Sequence, residues 1–210
     1  LPYYKEVVLR MSRTAHVTPN ILQKVAKAML PLYIVLSKND KFASLWCRAV
    51  RKADLDRLEQ LLYKVSPRAA RESISVNGIG YFVSFQFPRP VNLYMNGTAI
   101  PPGKVQFYFR KRVVRAIASA VMPLYLELSR NKCFADAFAN GLQRNDQGAI
   151  HRMVRGLIKT PALRSVKISN AGVILCFKYS NSKYPYHNLL LCEYCEKKRA
   201  KKLRKSFKRC

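Results

Sequence analysis

The sequence predicts an α+β protein made of two copies of one αααββ unit, three helices followed by a β-hairpin. We expect a pseudo-two-fold axis to relate the copies and a basic C-terminal helix to follow them. Three observations support this prediction. PLYIVLSKNDKF at residues 31–42 returns as PLYLELSRNKCF at residues 123–134. After the third helix of each copy, the hydrophobic period falls from about 3.6 residues to 2. Finally, 39 Lys and Arg outnumber 11 Asp and Glu.

The internal match extends well beyond these two phrases. Pro31 and Pro123 lie 92 positions apart, and the same offset pairs Trp46 with Phe138 without a gap. A period this long exceeds the roughly 20 to 50 residues of a solenoid repeat, so each copy is a small domain. We predict a first repeat with an N-terminal extension at 1–90, a connector with a hairpin and a strand at 91–108, a second repeat at 109–187, and a basic helix or tail at 188–210.

The helices are predicted from their caps and apolar periodicity. Thr18 followed by Pro19 is typical of an N-cap and a first helical residue, and opens helix one. Pro31 and Pro123 lie inside or just past helix one of each copy, where a proline kinks or ends a helix. Helix two is expected from about residue 40 to 52. Helix three begins at Asp54, and at Asp146 in the second copy, each with a carboxylate suited to an N-cap.

Strands are predicted where the period becomes 2. SISV, Asn77-Gly78 and GYFVSFQF form the first hairpin, and SVKIS, Asn170-Ala171-Gly172 and VILCFKY form the second. VNLYM, Asn96-Gly97 and TAI indicate a further hairpin in the connector, and KVQFYF from Lys104 indicates a strand. We expect the hairpins to pair in one central sheet. A winged-helix arrangement is the alternative by analogy, but YFVSFQF is too apolar for an exposed wing.

Composition indicates a folded, strongly basic protein. The 210 residues are 49% hydrophobic, enough for a core, and carry a net charge of +28. All parts are basic, with 15 basic and 6 acidic residues in 1–96, 15 and 3 in 97–188, and 9 and 2 in 189–210. This excess is larger than solubility requires and favours a polyanionic partner. No apolar run reaches the ~20 residues of a spanning helix, so we expect a soluble protein.

The residues give little support to catalysis or metal binding, and we predict no enzyme, cofactor or metal site. Only Glu127, Asp136 and Asp146 are acidic between residues 97 and 188, too few for a two-metal centre there. Cys192 and Cys195 form a lone C-x-x-C motif. Its use as a zinc site requires a ligand such as His187 or Cys210 at untypical spacing. Free buried thiols in a cytoplasmic protein are the preferred interpretation of the six cysteines.

The basic tail is the densest candidate binding segment. Nine of the thirteen positions from 197 to 209 are Lys or Arg. We expect a helix anchored at residues 189–195 to project it. Because a block of like charge repels itself, a polyanion stabilises it. Its predicted contact residues are Lys197, Lys198, Arg199, Lys201, Lys202, Arg204, Lys205, Lys208 and Arg209.

Two further basic clusters are predicted within the repeats. Cations that open helix one of the second copy oppose its dipole, and a bound phosphate reverses that effect. A helix that starts later is the alternative. The second cluster lies around helix three and the loop into each hairpin. The two sets are Arg110, Lys111, Arg112 and Arg115 at helix one, and Arg68, Arg71, Arg152, Arg155, Lys159 and Arg164 near the hairpins.

The sequence therefore predicts a non-enzymatic nucleic-acid-binding protein that contacts mainly the phosphate backbone, with DNA slightly favoured over RNA. Tyr184 and Tyr186 have no counterpart in the first repeat, and stacking of unpaired bases on them would favour RNA or single strands. The alternative is a peripheral protein that docks on an anionic membrane or envelope polymer through its tail. An enzyme acting on nucleic acid and a basic structural protein remain as further classes.

Overall fold

The computed structural model describes residues 17–103, 105 and 107–194, which form six helices and one six-stranded antiparallel sheet. The helices are α1 (Pro19–Lys38), α2 (Asp40–Lys52), α3 (Leu55–Val65), α4 (Lys111–Arg130), α5 (Lys132–Gln143) and α6 (Gln147–Leu157). The strands are β1 (Ser73–Val76), β2 (Gly80–Gln86), β3 (Leu93–Ala99), β4 (Leu163–Ser169), β5 (Gly172–Phe177) and β6 (Tyr186–Tyr194). A 3₁₀ turn at Ala69–Arg71 follows α3. Three helices followed by three strands thus occur twice along the chain.

The predicted helix starts are confirmed by their caps. The Thr18 side chain accepts a hydrogen bond from the Ile21 amide, and Pro19 opens α1. Asp54 and Asp146 cap α3 and α6 through the amides three residues on. These caps satisfy amides that have no partner within the helix. The caps of α2 and α5, Asn39 and Asn131, were not recognised in the sequence.

Pro31 and Pro123 lie inside α1 and α4 and do not end either helix, which continue to Lys38 and Arg130. α1 and α4 pack against each other more extensively than any other pair of elements. The rings of Tyr33 and Tyr125 meet between them, with centroids 4.7 Å apart. Burial of both helices in the middle of the protein compensates for the backbone hydrogen bond that a proline removes.

The two hairpins belong to one continuous sheet, as expected. The strand order is β1-β2-β3-β6-β5-β4, so each hairpin occupies an outer position and β3 pairs with β6 at the centre. Alternate side chains of β2 and β5, among them Tyr81, Val83, Phe85, Leu175 and Phe177, are buried. Trp46 of α2 meets the ring of Tyr81 edge-on at 5.0 Å, which packs the helical layer on this face of the sheet.

The predicted hairpin in the connector is wrong. Residues 93–99 form the single strand β3, which runs straight through Asn96-Gly97. Asn96 is fully buried and bonded to groups on three other elements, which no exposed turn would allow. Gly97 is needed for close approach, since a Cβ at this position would lie 2.3 Å from the Tyr81 carbonyl oxygen. The strand predicted from Lys104 is also wrong, because Val105 and residues 107–109 are not in a strand.

The predicted helix anchored at residues 189–195 is wrong as well. Residues up to Tyr194 belong to β6, which pairs with β3 on one side and β5 on the other. With a partner strand on each side, both sets of backbone groups are satisfied by the sheet, which outweighs the helical propensity of leucine. Each half therefore has a third strand, in the segments predicted as connector and tail. The basic residues from Lys197 onward lie outside the described residues.

Candidate nucleic-acid interface

A groove with a volume of about 550 Å³ lies between α1, the 3₁₀ turn and β2. Four cationic side chains line it, two from α1 (Lys24 and Lys27), one from the turn (Arg71) and one from the residue before the turn (Arg68). We call these four residues the groove cations. The remaining lining residues are Asn20, Gln23, Ala28, Glu72 and Phe85. Arg68 and Arg71 were predicted binding residues, and the structure brings them together with two lysines that were not.

Helical spacing explains the α1 side of the groove. Asn20, Gln23, Lys24 and Lys27 are separated by three or four residues and form one polar stripe on α1. The opposite face of α1 is buried in the core. This stripe is visible in the sequence once the helix is known to begin at Pro19, so the lysines were recognisable. Only the fold shows that Arg68 and Arg71 face the same stripe.

The other side of the groove is fixed to α1 by Ser66. Its hydroxyl donates to the Ala28 carbonyl at 2.6 Å and accepts from the Ala69 amide at 3.4 Å. Ser66 and Ala69 are both buried. The 3₁₀ turn that carries Arg71 is therefore held against α1, and Arg68 directly precedes it. The backbone that carries the four charges is preorganised, although the side chains reach into solvent.

The charge in the groove is only partly neutralised. Glu72 is its one acid, and a carboxylate oxygen lies 3.7 Å from Lys24 Nζ. The other oxygen accepts a hydrogen bond from the backbone N–H of Gln86 at 3.3 Å. Within the described part of the chain, Lys27, Arg68 and Arg71 form no ion pair, and all three are exposed. An open groove with this excess of cations suits a chain of phosphates.

At the start of α4, the predicted cluster is present but much of it is already paired. Helix α4 begins at Lys111 with Arg110 as N-cap, so the alternative of a later start is wrong. Lys111 Nζ lies 2.7 Å and Arg115 Nη1 2.8 Å from the Asp40 carboxylate. The hydrogen bond from Lys111 is the main cause that holds the pKa of Asp40 below its ordinary value. Asp40 thus supplies the negative charge that the helix dipole favours.

The remaining two members of this cluster differ in their contacts. Arg110 Nη1 donates to the Asn181 carbonyl at 2.9 Å, and its guanidinium lies 5.5 Å from the centre of the Tyr108 ring. Arg112 is exposed and has no ion-pair partner among residues 17–194 whose placement is described. These side chains do not line the groove.

The predicted cations of the second half lie on α6 (Arg152 and Arg155), in its connection to β4 (Lys159) and at the start of β4 (Arg164). Arg155 Nη2 donates to the Leu163 carbonyl at 2.6 Å, which ties α6 to the edge strand. Arg152, Lys159 and Arg164 are exposed. None of the four lines the groove.

The two predicted stacking tyrosines differ in accessibility. Tyr186 is fully buried, and its hydroxyl accepts from the Arg110 amide at 2.9 Å, so the prediction that it stacks on bases is wrong. Tyr184 is half-buried, with its ring edge-on to Tyr108 at 5.1 Å. Tyr184, in the loop before β6, thus lies near the surface, whereas Tyr186, the first residue of β6, lies in the core.

Among the described residues, no three His, Cys, Asp or Glu side chains are placed to hold a metal ion. Cys47, Cys133 and Cys176 are free thiols, whereas Cys192 is disulfide-bonded, so free thiols were wrongly predicted there. Burial raises the pKa of Cys47 to about 12, which keeps it protonated. Across the described ranges, no helix is long and apolar enough to span a membrane.

Comparison with known proteins identifies no relative. No protein-family model matches the chain, no curated protein matches its sequence, and no solved structure matches its fold. The charges and geometry of the chain itself are therefore what indicate its function.

Proposed function

We propose that the protein binds nucleic acid without catalysis, mainly through the phosphate backbone. The observation that carries the proposal is the groove, where four cations from two elements face one acid whose oxygens are both engaged. Phosphates spaced along a nucleic acid strand can contact several of these cations in sequence. The net charge of +28 favours encounter with any such polyanion.

Three features favour a polymer over a small phosphorylated ligand. The groove is open, and its charges come from a helix stripe and a separate turn. Exposed cations also continue elsewhere, at Arg112 and at Arg152, Lys159 and Arg164. We propose that these extend the contact beyond the groove and that the tail from Lys197 adds sequence-independent attraction. The two halves, with their repeated element order, are proposed to be copies of one ancestral unit.

The central test is the salt dependence of binding to a duplex of random sequence. The slope of log K against log salt is expected to be about −0.9 for each phosphate neutralised. A variant with Lys24, Lys27, Arg68 and Arg71 all changed to Ser is expected to bind more weakly and to lose several units of slope. Equal loss on unrelated sequences is expected, because phosphate contacts do not read bases.

A matched control tests whether the position of the charges matters. Lys52 and Arg144 are exposed cations at the ends of α2 and α5, 92 residues apart, and neither lines the groove. The control variant has both residues changed to Ser. It is compared with a variant in which only Lys27 and Arg71 are changed to Ser, so each variant loses two positive charges. The groove pair is expected to matter more. Equal effects of the two pairs would refute a localised site.

Deletion of residues 197–210 separates the tail from the groove. It removes nine cations, and the slope is expected to become shallower while the groove variants retain their effect. Sedimentation with anionic vesicles tests the alternative partner. Tight, tail-dependent vesicle binding together with absent nucleic-acid binding would support the membrane interpretation.

A further inference from the structure

Phe107 is exposed near the N-terminus of α4, and the half-buried Tyr108 follows it in the chain and contacts the half-buried Tyr184. We call these three residues the aromatic patch. Phe107 is 64% exposed, the only phenylalanine among the large hydrophobic side chains exposed in the described ranges. A phenylalanine in this position lacks the stability that its burial would add.

Contacts with neighbouring residues hold the patch in place. The Phe107 ring packs on the turn between β1 and β2, since a Cβ on Gly78 would lie 3.1 Å from Phe107 Cδ1. Tyr108 and Tyr184 meet edge-to-face, with centroids 5.1 Å apart and planes at 82°. The ring of Phe107 is therefore supported from one side and open to solvent. A supported flat ring loses little entropy when another ring stacks on it.

Cations accompany these rings. The Arg110 guanidinium lies 5.5 Å from the centre of the Tyr108 ring, and Lys183 Nζ lies 5.6 Å from that of Tyr184. Arg110 is the N-cap of α4, and Arg112 extends from its first turn into solvent. Base stacking next to backbone cations is the combination by which proteins hold single-stranded nucleic acid without reading its sequence.

We propose that the aromatic patch binds unpaired bases of single-stranded nucleic acid, with a base stacked on Phe107 and adjacent phosphates at Arg110, Arg112 and Lys183. This inference rests on the proposed function and specifies its substrate as DNA or RNA that exposes its bases. In a duplex, the base faces are covered by neighbouring pairs and only phosphates remain accessible. The patch therefore contributes affinity for single strands alone.

The test uses the full chain, Phe107→Ala and three ligands. These are oligothymidine of about 12 nucleotides, within the usual site sizes of single-strand binders, an abasic phosphodiester of equal length, and a duplex. Phe107→Ala is expected to weaken oligothymidine binding by at least about 5-fold, which corresponds to about 1 kcal/mol. Binding of the abasic strand and the duplex is expected to remain unchanged.

Tyr63→Ala is the matched control, since Tyr63 is 65% exposed on α3 and Phe107 is 64% exposed. It is expected to leave all three affinities unchanged. Phe107→Trp supplies a second readout that needs no loss of function. Oligothymidine is expected to quench the fluorescence of the added indole, whereas the abasic strand is not. The buried Trp46 contributes a constant fluorescence background.

The outcomes distinguish the two proposals. If the parent binds none of the three ligands, the proposed function itself fails. If it binds the abasic strand and oligothymidine equally and Phe107→Ala changes neither, backbone binding stands and the stacking proposal is overturned. A loss of affinity in Phe107→Ala that is confined to oligothymidine, the ligand with unpaired bases, supports stacking.

Discussion

The side-chain amide of Asn188 donates a hydrogen bond to the hydroxyl of Tyr33 at 2.8 Å, across 155 residues of chain. Tyr33 in turn donates to Asn96 at 2.7 Å, Asn96 donates to Tyr125, and Tyr125 donates to Asn188 at 2.9 Å. The ring of four bonds closes on itself, and each half of the chain contributes one Tyr and one Asn. Both tyrosines and both asparagines recur at the 92-residue offset.

The spare amide hydrogens of the two asparagines have matching partners across the β3–β6 pair. Asn96 Nδ2 donates to the Leu189 carbonyl at 2.8 Å, and Asn188 Nδ2 to the Gly97 carbonyl at 3.2 Å. All four side chains are buried. A fully satisfied buried network specifies one arrangement of the surrounding elements, here α1, α4, β3 and β6.

Replacing Asn188 with Leu is expected to lower the free energy of unfolding by at least about 2 kcal/mol. The change leaves the Tyr125 hydroxyl proton without an acceptor, which costs about 1–3 kcal/mol for a buried group. It also removes the hydrogen bond that Tyr33 accepts, although Tyr33 still donates to Asn96. Urea unfolding followed by circular dichroism measures the effect. Asn140→Leu, at an exposed position of α5, is the control and is expected to change little. Equal stability of the two variants would contradict a role for the network.

Two glycines are predicted to respond to alanine in opposite directions. A Cβ on Gly172 would lie 2.1 Å from the Leu190 carbonyl oxygen, so Gly172→Ala forces β5 and β6 apart and is expected to cost more than about 3 kcal/mol. Gly156, in the last turn of α6, has nothing within 4 Å of the added carbon. Gly156→Ala is expected to stabilise by about 0.5–1 kcal/mol. Thermal unfolding of both variants tests the pair, and a stabilising Gly172→Ala would disprove the close strand approach.

Removing the acid at the start of α4 is expected to strengthen polyanion binding. Asp40 pairs with Lys111 and Arg115, so Asp40→Asn removes the negative charge beside both cations and frees Lys111 for a phosphate. Arg115 still donates to the Ser37 carbonyl through Nε and Nη2, so the salt slope is expected to become steeper by about one unit. The control is Asp136→Asn, which frees only Lys132, its partner on the exposed face of α5. Salt titrations of both variants on one duplex supply the comparison. Weaker duplex binding by Asp40→Asn would show that the ion pairs of Asp40 with Lys111 and Arg115 serve folding instead.

The protein is expected to lose stability as the pH rises above about 10. Burial raises the pKa of Tyr33, Tyr81, Tyr94 and Tyr125 in the native state, so these groups stay protonated while the unfolded chain loses its protons. The contribution is therefore fully present below the unfolded pKa near 10 and is lost above it, by about 1.4 kcal/mol per pH unit for each tyrosine.

Urea unfolding at several alkaline pH values, with phenolate absorbance recorded in parallel, checks this dependence. Tyr94→Phe removes one such proton and is expected to make the loss of stability with pH shallower. Its hydroxyl donates to the Ala171 carbonyl at 3.1 Å, so the variant also starts from a lower stability. Phenolate formation by all tyrosines near pH 10, before unfolding, would contradict their burial.

Local sequence determined the features that depend on neighbouring residues. Thr18, Asp54 and Asp146 cap helices because their side chains reach amides three residues ahead. The hairpins β1–β2 and β4–β5 follow from alternating apolar residues and from turn residues at Asn77-Gly78 and Asn170-Ala171. The basic charge is likewise a property of composition. These interactions span a few residues, so the local sequence specifies them whatever the long-range contacts are.

Only the tertiary structure decided which distant segments pair. Asn96-Gly97 has the local signature of a turn, yet β3 runs through it because Asn96 finds buried partners on α4 and β6. Residues 189–194 became a strand because open edges of β3 and β5 flank them. The groove likewise exists only because Ser66 fixes the 3₁₀ turn against α1, which brings Arg71 near Lys27. Each of these outcomes is set by partners that are distant in sequence, whose backbone and side-chain groups must be satisfied together in the core.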